Sequence, residues 1–370
     1  MEIFRRFGFD KILFLVVLIL ITTGVIMVFD SSSALATDKY HRPFYFLFNQ
    51  FGGAAGGFII LLGLVSFRRP FYENRIIVYG LLGLTYILLA LCLAMPEVAH
   101  THRWINMFGI RFQPSELAKL SLIIFLAHVA AKAKDRINEP KVFGPAAAAL
   151  FGAVLLILLE PDFGTAALTL LMGIIVLHIG GVRMRNFAWL GLAAVPTFFL
   201  FLIVAQYRID RIVEFFARTK DLQKASFQVA QSKLAVGAGG ILGQSFGEGT
   251  QKLFFLPCPH TDFIFAVIAE ELGLLGALAV LAAFFVIVWR GLAISIKATT
   301  FSAQLIAAGI SFLLGIQTLI NVTVVLGLSP AKGVPLPLIS FGRSSLICSL
   351  LAVAVLLHIS SRKGESRNFR

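Results

Sequence analysis

Apolar runs separated by short polar breaks fill most of the 370 residues. Ten of them approach the roughly 20 residues that an α-helix needs to cross a bilayer. They lie near 11–29, 45–66, 76–95, 115–131, 143–159, 164–181, 187–206, 263–289, 301–328 and 338–360. The pattern predicts an all-α polytopic membrane protein of about ten transmembrane helices, a single membrane domain over 1–370. A large loop, about 207–262, separates helices seven and eight. The first run follows Arg5, Arg6 and Lys11 and precedes Ala34-Leu35-Ala36, an arrangement shared with signal peptides. Its apolar stretch from Ile12 to Phe29 exceeds the roughly 7–15 residues of a signal core, so a retained helix is expected.

Composition agrees. The chain is 58% hydrophobic and only 14% charged. Its net charge of +13 would suggest nucleic acid in a soluble protein. Here much of the excess falls in short loops on one side of the membrane, as the positive-inside tendency requires. No nucleic-acid partner is expected. Arg68, Arg69, Lys132, Lys134, Arg136, Arg183, Arg185 and Arg290 lie on that side, with both termini. The reading places both termini in the cytoplasm and the 207–262 loop outside. The three cysteines have no metal spacing, so neither a disulfide framework nor a zinc site is expected.

One stretch breaks the apolar pattern. Between Gln228 and Gly273 the chain packs six glycines from Gly237 to Gly249, then Gln251-Lys252, then Pro259-His260-Thr261-Asp262 ahead of a long apolar run. It holds no G-K-[ST], so it is not a nucleotide-binding P-loop. The glycines suit tight turns or close backbone approach. Upstream, Tyr207 to Lys220 mixes charge and apolar residues at helical spacing, which predicts an interfacial helix.

Ionisable residues at the mouth of membrane helices mark functional sites by default. Asp262 is one, and two readings coexist for it: an N-cap for the eighth helix, or a carboxylate facing a polar head group, able to act as a general base beside His260. Glu116 and Lys119 share a face of the fourth helix, either as a self-satisfying ion pair or as a charged lining for an anionic ligand. Ser115 is the expected cap of that helix. Glu160-Pro161-Asp162 reads as a turn with a capping Asp. Arg103, Trp104, Asp162, Asp262 and Ser340 to Ser345 would all face the same side, which suggests one extracytoplasmic site. Glu270 and Glu271 should face the bundle interior, with partners that the sequence does not reveal.

The chain resembles the SEDS family (shape, elongation, division and sporulation proteins) over nearly its whole length. The resemblance rests on RWINMFGIRFQPSELAKL at 103–120, PDFGT at 161–165, YRIDR at 207–211, QSKLAVGAGGILG at 231–243, FLPCPHTDFIFAVIAEELG at 255–273 and GVPLPLISFG at 333–342. Within the family it is more similar to the division type, FtsW-like, than to the elongation type, RodA-like. It departs from the family pattern at Cys258-Pro259, at Arg343, and in lacking an Asp-Pro segment near Ala217 to Lys224.

The resemblance implies a peptidoglycan glycosyltransferase of the bacterial inner membrane that polymerises lipid II with inversion, Asp262 serving as general base. It implies substrate contacts from Arg103, Trp104, Glu116, Lys119, Asp162, Arg208, Arg211, Lys252, His260, Lys332 and Ser340. A divalent cation, Mg or Mn, near Asp162 or Glu116 is a further expectation, although no metal motif is visible. The partners implied are lipid II, a class B penicillin-binding protein and other division or elongation proteins. Two rival readings remain: a lipid-linked precursor flippase and a non-catalytic division scaffold.

Overall fold

The computed structural model describes residues 8–67, 69–96, 103–107, 110–204, 227–253, 255–330 and 333–362. Ten long helices follow the predicted runs. They are α1 Lys11–Tyr40, α2 Tyr45–Ser66, α3 Arg75–Ala94, α4 Pro114–Ala133, α5 Pro140–Leu159, α6 Phe163–Ile179 and α7 Met184–Val204, then α9 Ile264–Ile296, α10 Phe301–Val325 and α11 Arg343–Ser361. Two elements were not anticipated. One is a short helix, α8 Phe227–Gly239, and the other is an antiparallel hairpin of β1 Ile105–Met107 and β2 Ile110–Phe112. Among the described residues seven helices, α1, α2, α3, α5, α9, α10 and α11, are long and apolar enough to cross a membrane.

Local chemistry sets the helix ends. Asp10 caps α1 by accepting from Leu13 N at 3.0 Å. Asn74 caps α3 through Ile76 N at 2.9 Å, and Thr300 caps α10 through Ala303 N at 3.3 Å. α4 begins on Pro114, which needs no N–H partner there. Ser115 therefore lies inside the first turn, and the cap position falls to Gln113. α1 runs past its predicted end near residue 29 to Tyr40. Ser31 and Ser32 turn their hydroxyls back onto the carbonyls of Met27 and Val28, at 2.7 and 2.6 Å, and Asp30 is neutralised by a lysine.

α10 and α11 form the centre, with most of their apolar length enclosed. α11 lies along α2, while α10 packs on α9, α4 and α6. Large apolar side chains left exposed on α2, α3 and α9, such as Phe48, Ile59, Ile76 and Phe285, suit a lipid surround. On one face Arg290 pairs with Asp10, whose N–H donates to Ser360 Oγ at 3.0 Å. These contacts join the ends of α1, α9 and α11. The opposite face carries the hairpin, the N-termini of α4, α6, α9 and α11, and the loops at 240–253, 255–263 and 333–342.

Candidate active site

The N-terminus of α9 carries no side-chain cap. The cap position is Phe263, and no hydrogen bond to the Asp262 carboxylate occurs among the described residues. The capping reading of Asp262 is therefore not what the structure shows. The carboxylate is held by its backbone and by packing. Three consecutive carbonyls are each tied to a separate donor. His260 O accepts from Phe341 N at 2.9 Å, Thr261 O from Ser340 Oγ at 2.6 Å, and Asp262 O from Asn321 Nδ2 at 2.8 Å. Asn321 also donates to Val334 O at 2.9 Å, so α10 and the 333–342 loop grip the same short segment. Gly333 lies directly against the carboxylate: a Cβ there would fall 3.1 Å from Oδ2.

Charge around Asp262 comes from the α4 and α6 N-termini. Arg103 Nη1 lies 4.0 Å from Asp162 Oδ2, and its Nη2 donates to Pro161 O at 3.3 Å. Asp162 caps α6 as the sequence suggested, accepting from Thr165 N at 3.1 Å and Thr165 Oγ1 at 2.9 Å. Gln113 Nε2 adds a 3.2 Å bond to Asp162 and reaches Ser115 Oγ at 3.1 Å. Burial pushes Asp262 up to about 6; the Arg103 guanidinium opposes the rise and Asp162 adds to it. The carboxylate is still mainly ionised near neutrality, and it is more basic than an ordinary Asp.

Glu160 is a more unusual group than its place in a turn suggests. It is fully buried at the end of α5, and neither carboxylate oxygen has a hydrogen-bond partner among the described residues. Burial, with help from Asp162 and against Arg103, raises it to about 8, so it is protonated at neutral pH. The Glu-Pro-Asp turn reads as loop chemistry, and only the packing reveals this carboxyl as an interior group.

Other expected residues take supporting places. Glu116 and Lys119 form a buried 2.8 Å pair, and Lys119 also donates to Gln317 Oε1 at 3.1 Å. Gln317 then donates to Pro335 O at 3.1 Å. The pair is thus satisfied within the bundle, one turn of α10 below Asn321. Ser340 is saturated, since its hydroxyl accepts from Leu336 N at 2.8 Å while donating to Thr261. His260 packs between Phe46 and Phe341, tilted against one ring and edge-on to the other, with centroids at 4.6 and 5.5 Å. Burial lowers it to about 4, so it is a neutral packing group rather than a proton partner for Asp262. Trp104 is half-buried beside Arg103. Arg208, Arg211, Lys332 and the predicted interfacial helix from Tyr207 to Lys220 lie outside the described residues.

Lys252 is drawn inward. Its Nζ donates to both oxygens of Asp30 at 2.7 Å and to Glu271 Oε1 at 2.5 Å. Glu271 Oε2 accepts from Gly247 N at 3.2 Å, and Glu270 Oε1 from Thr250 N and Gln251 N at 2.9 and 3.1 Å. These are the interior partners that the sequence left open. The glycines serve close approach. A Cβ on Gly239 would fall 1.9 Å from Ala269 O, and one on Gly243 2.0 Å from Glu271 O. The polar island is therefore a loop folded onto α9 and α1 that ends in the Asp262 segment.

The donor set does not fit a divalent cation. Both Asp162 oxygens are committed to Thr165 and Gln113, Glu116 is paired with Lys119, and no three metal-type side chains converge among the described residues.

Residues 10–365 match the family model described as "Cell cycle protein", which groups FtsW, RodA and SpoVE. A probable peptidoglycan glycosyltransferase FtsW from Geobacter sulfurreducens is 39% identical over 360 residues, covering 96% of this chain and 95% of that one. Stage V sporulation protein E of Bacillus subtilis is 36% identical over 356 residues, covering 95% and 96%. A chain from a solved peptidoglycan synthase complex, studied for the coordination of polymerisation and crosslinking, superposes with a TM-score of 0.76 at 27% identity, covering 96% of this chain and 98% of that one. A crystal structure of a mutant of the Thermus thermophilus rod shape determining protein RodA gives 0.69 at 26%, covering 95% and 97%.

Proposed function

The chain belongs to the FtsW, RodA and SpoVE family of cell cycle proteins, the SEDS proteins, and from that premise we propose how Asp262 and its surroundings carry out the reaction. The protein is a peptidoglycan glycosyltransferase of the inner membrane, most similar to the FtsW type. The finer reading is that it polymerises lipid II at the extracytoplasmic ends of α4, α6 and α9.

In that reading the ionised Asp262 takes the proton from the acceptor sugar hydroxyl. The oxygen attacks the anomeric carbon of the donor from the face opposite the leaving group, with inversion. The bond to the lipid pyrophosphate breaks, and the pyrophosphate leaves with the electron pair. General-base assistance is typically worth about 10²–10⁴ in rate. Arg103, held near Asp262 by Asp162 and Pro161, is the group placed to neutralise charge on the leaving phosphate. No step uses a metal ion.

The observation that carries this reading is a half-buried, uncapped carboxylate on a segment, His260 to Asp262, whose three carbonyls are fixed by three separate donors. A helix cap would need none of that rigidity, and a scaffold would not need a carboxylate that has no hydrogen bond among the described residues. A flippase would need polar groups along its whole length, whereas the buried charges away from this end are paired internally among the described residues. A crosslinking enzyme is the partner we assign, in keeping with the superposition on a polymerisation and crosslinking complex.

The test is lipid II polymerisation by purified protein in liposomes with its penicillin-binding partner. Asp262→Asn should abolish glycan ladders while elution and melting stay those of wild type. Ladders equal to wild type would remove Asp262 from the chemistry.

A further inference from the structure

At the membrane face opposite Asp262, two cavities share one wall. The first is a groove of about 980 Å³ between α5 and α7, lined by Phe143, Gly144, Ala147, Phe151, Ala188 and Trp189. Its polar end is made by Asn138, Arg185 and Asn186. The second is a pocket of about 570 Å³ between the loops that follow α4 and α6, lined by Lys134, Asp135, Asn138, Gly181 and Arg183 among others. Asn138 belongs to both and staples the loops together. It accepts from Arg183 N at 2.8 Å and Asn186 Nδ2 at 3.0 Å, and donates to Gly181 O at 3.0 Å.

We propose that this joined site binds one anionic phospholipid, with an acyl chain in the α5–α7 groove and the phosphate headgroup in the basic pocket.

Length supports the assignment. From Pro140 to Phe151 the groove follows α5 for about 17 Å at the helical rise of about 1.5 Å per residue. That is about half of the roughly 30 Å hydrocarbon core, the depth of one leaflet. Trp189, 70% exposed, stands at the groove mouth, as aromatic residues do at the membrane interface.

Charge supports it too. Lys134, Arg183 and Arg185 are exposed, and the one acid lining either cavity, Asp135, lies with Lys134 and Arg183 in the second. The nearby Arg136 and Glu139 cancel each other through two 2.9 Å bonds. The surplus is cationic and none of the three side chains has a protein partner among the described residues, so an anionic headgroup would supply what the protein does not. Basic pockets between membrane helices recognise anionic headgroups in this way. The site lies about a full helix length, roughly 30 Å, from Asp262, and the inference holds whatever reaction Asp262 supports.

The test is native mass spectrometry of the purified full chain with equimolar phosphatidylglycerol and phosphatidylcholine of matched acyl chains. Wild type should retain phosphatidylglycerol about tenfold over phosphatidylcholine. The R183Q/R185Q variant should bring the ratio to about one. Ala148→Trp, at an exposed groove position, should lower retention of both lipids. Inorganic phosphate at the same concentration should not displace the bound lipid. Equal retention of the two lipids by wild type would overturn the proposal. So would an unchanged ratio in R183Q/R185Q, or displacement by phosphate alone.

Discussion

Two substitutions around Asp262 should move its proton affinity in opposite directions. Asp262 is pushed up to about 6 by burial, with Arg103 pulling it down and Asp162 pushing it further up. Arg103→Gln removes the opposing charge, and Asp162→Asn removes the reinforcing one while keeping an N-cap residue on α6. A neighbouring charge at close range is worth about one unit or more, each unit being about 1.4 kcal/mol. With a base of about 6, the ionised fraction is about 0.9 at pH 7 and about 0.5 at pH 6. Raising it by one unit leaves about 0.5 and 0.1.

Arg103→Gln should therefore lose about twofold at pH 7 and about fivefold at pH 6 from this cause alone. Any further loss that is the same at every pH belongs to charge neutralisation on the leaving phosphate. Asp162→Asn should shift the acid limb of the profile the other way and gain up to about twofold at pH 6. The assay is kcat/KM for lipid II polymerisation in liposomes from pH 5 to 9. Limbs that coincide with wild type in both variants, or that move in the same direction, would refute the assignment of Asp262 as the titrating base.

Glu160 gives a stability prediction. Its folded-state value of about 8 stands above the ordinary 4.5. The folded protein therefore holds a proton that the unfolded chain releases. The stabilisation is complete below about pH 4.5 and is lost as pH rises through about 8. Melting in detergent across pH 5 to 9 should show this decline, and Glu160→Gln should flatten it; an unchanged slope in the variant would discount Glu160. Lys252→Met should destabilise by about 3–5 kcal/mol, because Asp30 and Glu271 would be left buried without their cation. Adding Asp30→Asn should recover part of that loss in a double-mutant cycle; additive losses would mean that the pair is not coupled. Ser340→Ala leaves Thr261 O and Leu336 N without partners and should cost about 1–3 kcal/mol for each buried group. It should lower kcat more than it raises KM, and the reverse pattern would place Ser340 against substrate instead.

Helix number, positions and class were legible because a span of about 20 apolar residues is a strong one-dimensional signal. The signal fails where polar residues are satisfied by distant partners. Asp30 and the serines after it seemed to end the first helix, yet α1 continues because Lys252, more than two hundred positions away, neutralises the carboxylate. α8 was missed for a related reason. At 13 residues it is too short to be stable alone, and it is held by packing on α9, where Gly239 touches backbone. At the site, the residues that converge around Asp262 were mostly named in advance. Their division of labour was not, since whether a buried carboxyl is capped, paired or bare depends on contacts that spacing does not encode. Asp162 caps α6 and is bonded to Gln113, Glu116 is paired, and Glu160 is bare among the described residues.

That division separates the polar groups that build the protein from those placed to act. Lys119 and Lys252 sit inside the bundle with close carboxylate partners, and each bridges elements that would otherwise be joined only by apolar packing. Gln251 Oε1 and Glu270 Oε2 near Lys252 also lack partners among the described residues, but the larger group lies around Asp262. Arg103 Nε, Glu160 Oε1 and Oε2, His260 Nδ1 and Asn321 Oδ1 are all buried and lack partners among the described residues. A buried polar atom left unmet costs about 1–3 kcal/mol. Four neighbouring side chains carrying such atoms are a cost that packing alone gives no reason to keep. A polar substrate that supplies hydroxyls, amides and phosphate oxygens would satisfy donors and acceptors together. On this account binding energy is stored as unmet hydrogen-bonding capacity in the free protein. Neutral replacements at Glu160 should then weaken substrate binding even at a pH where they leave the fold undisturbed.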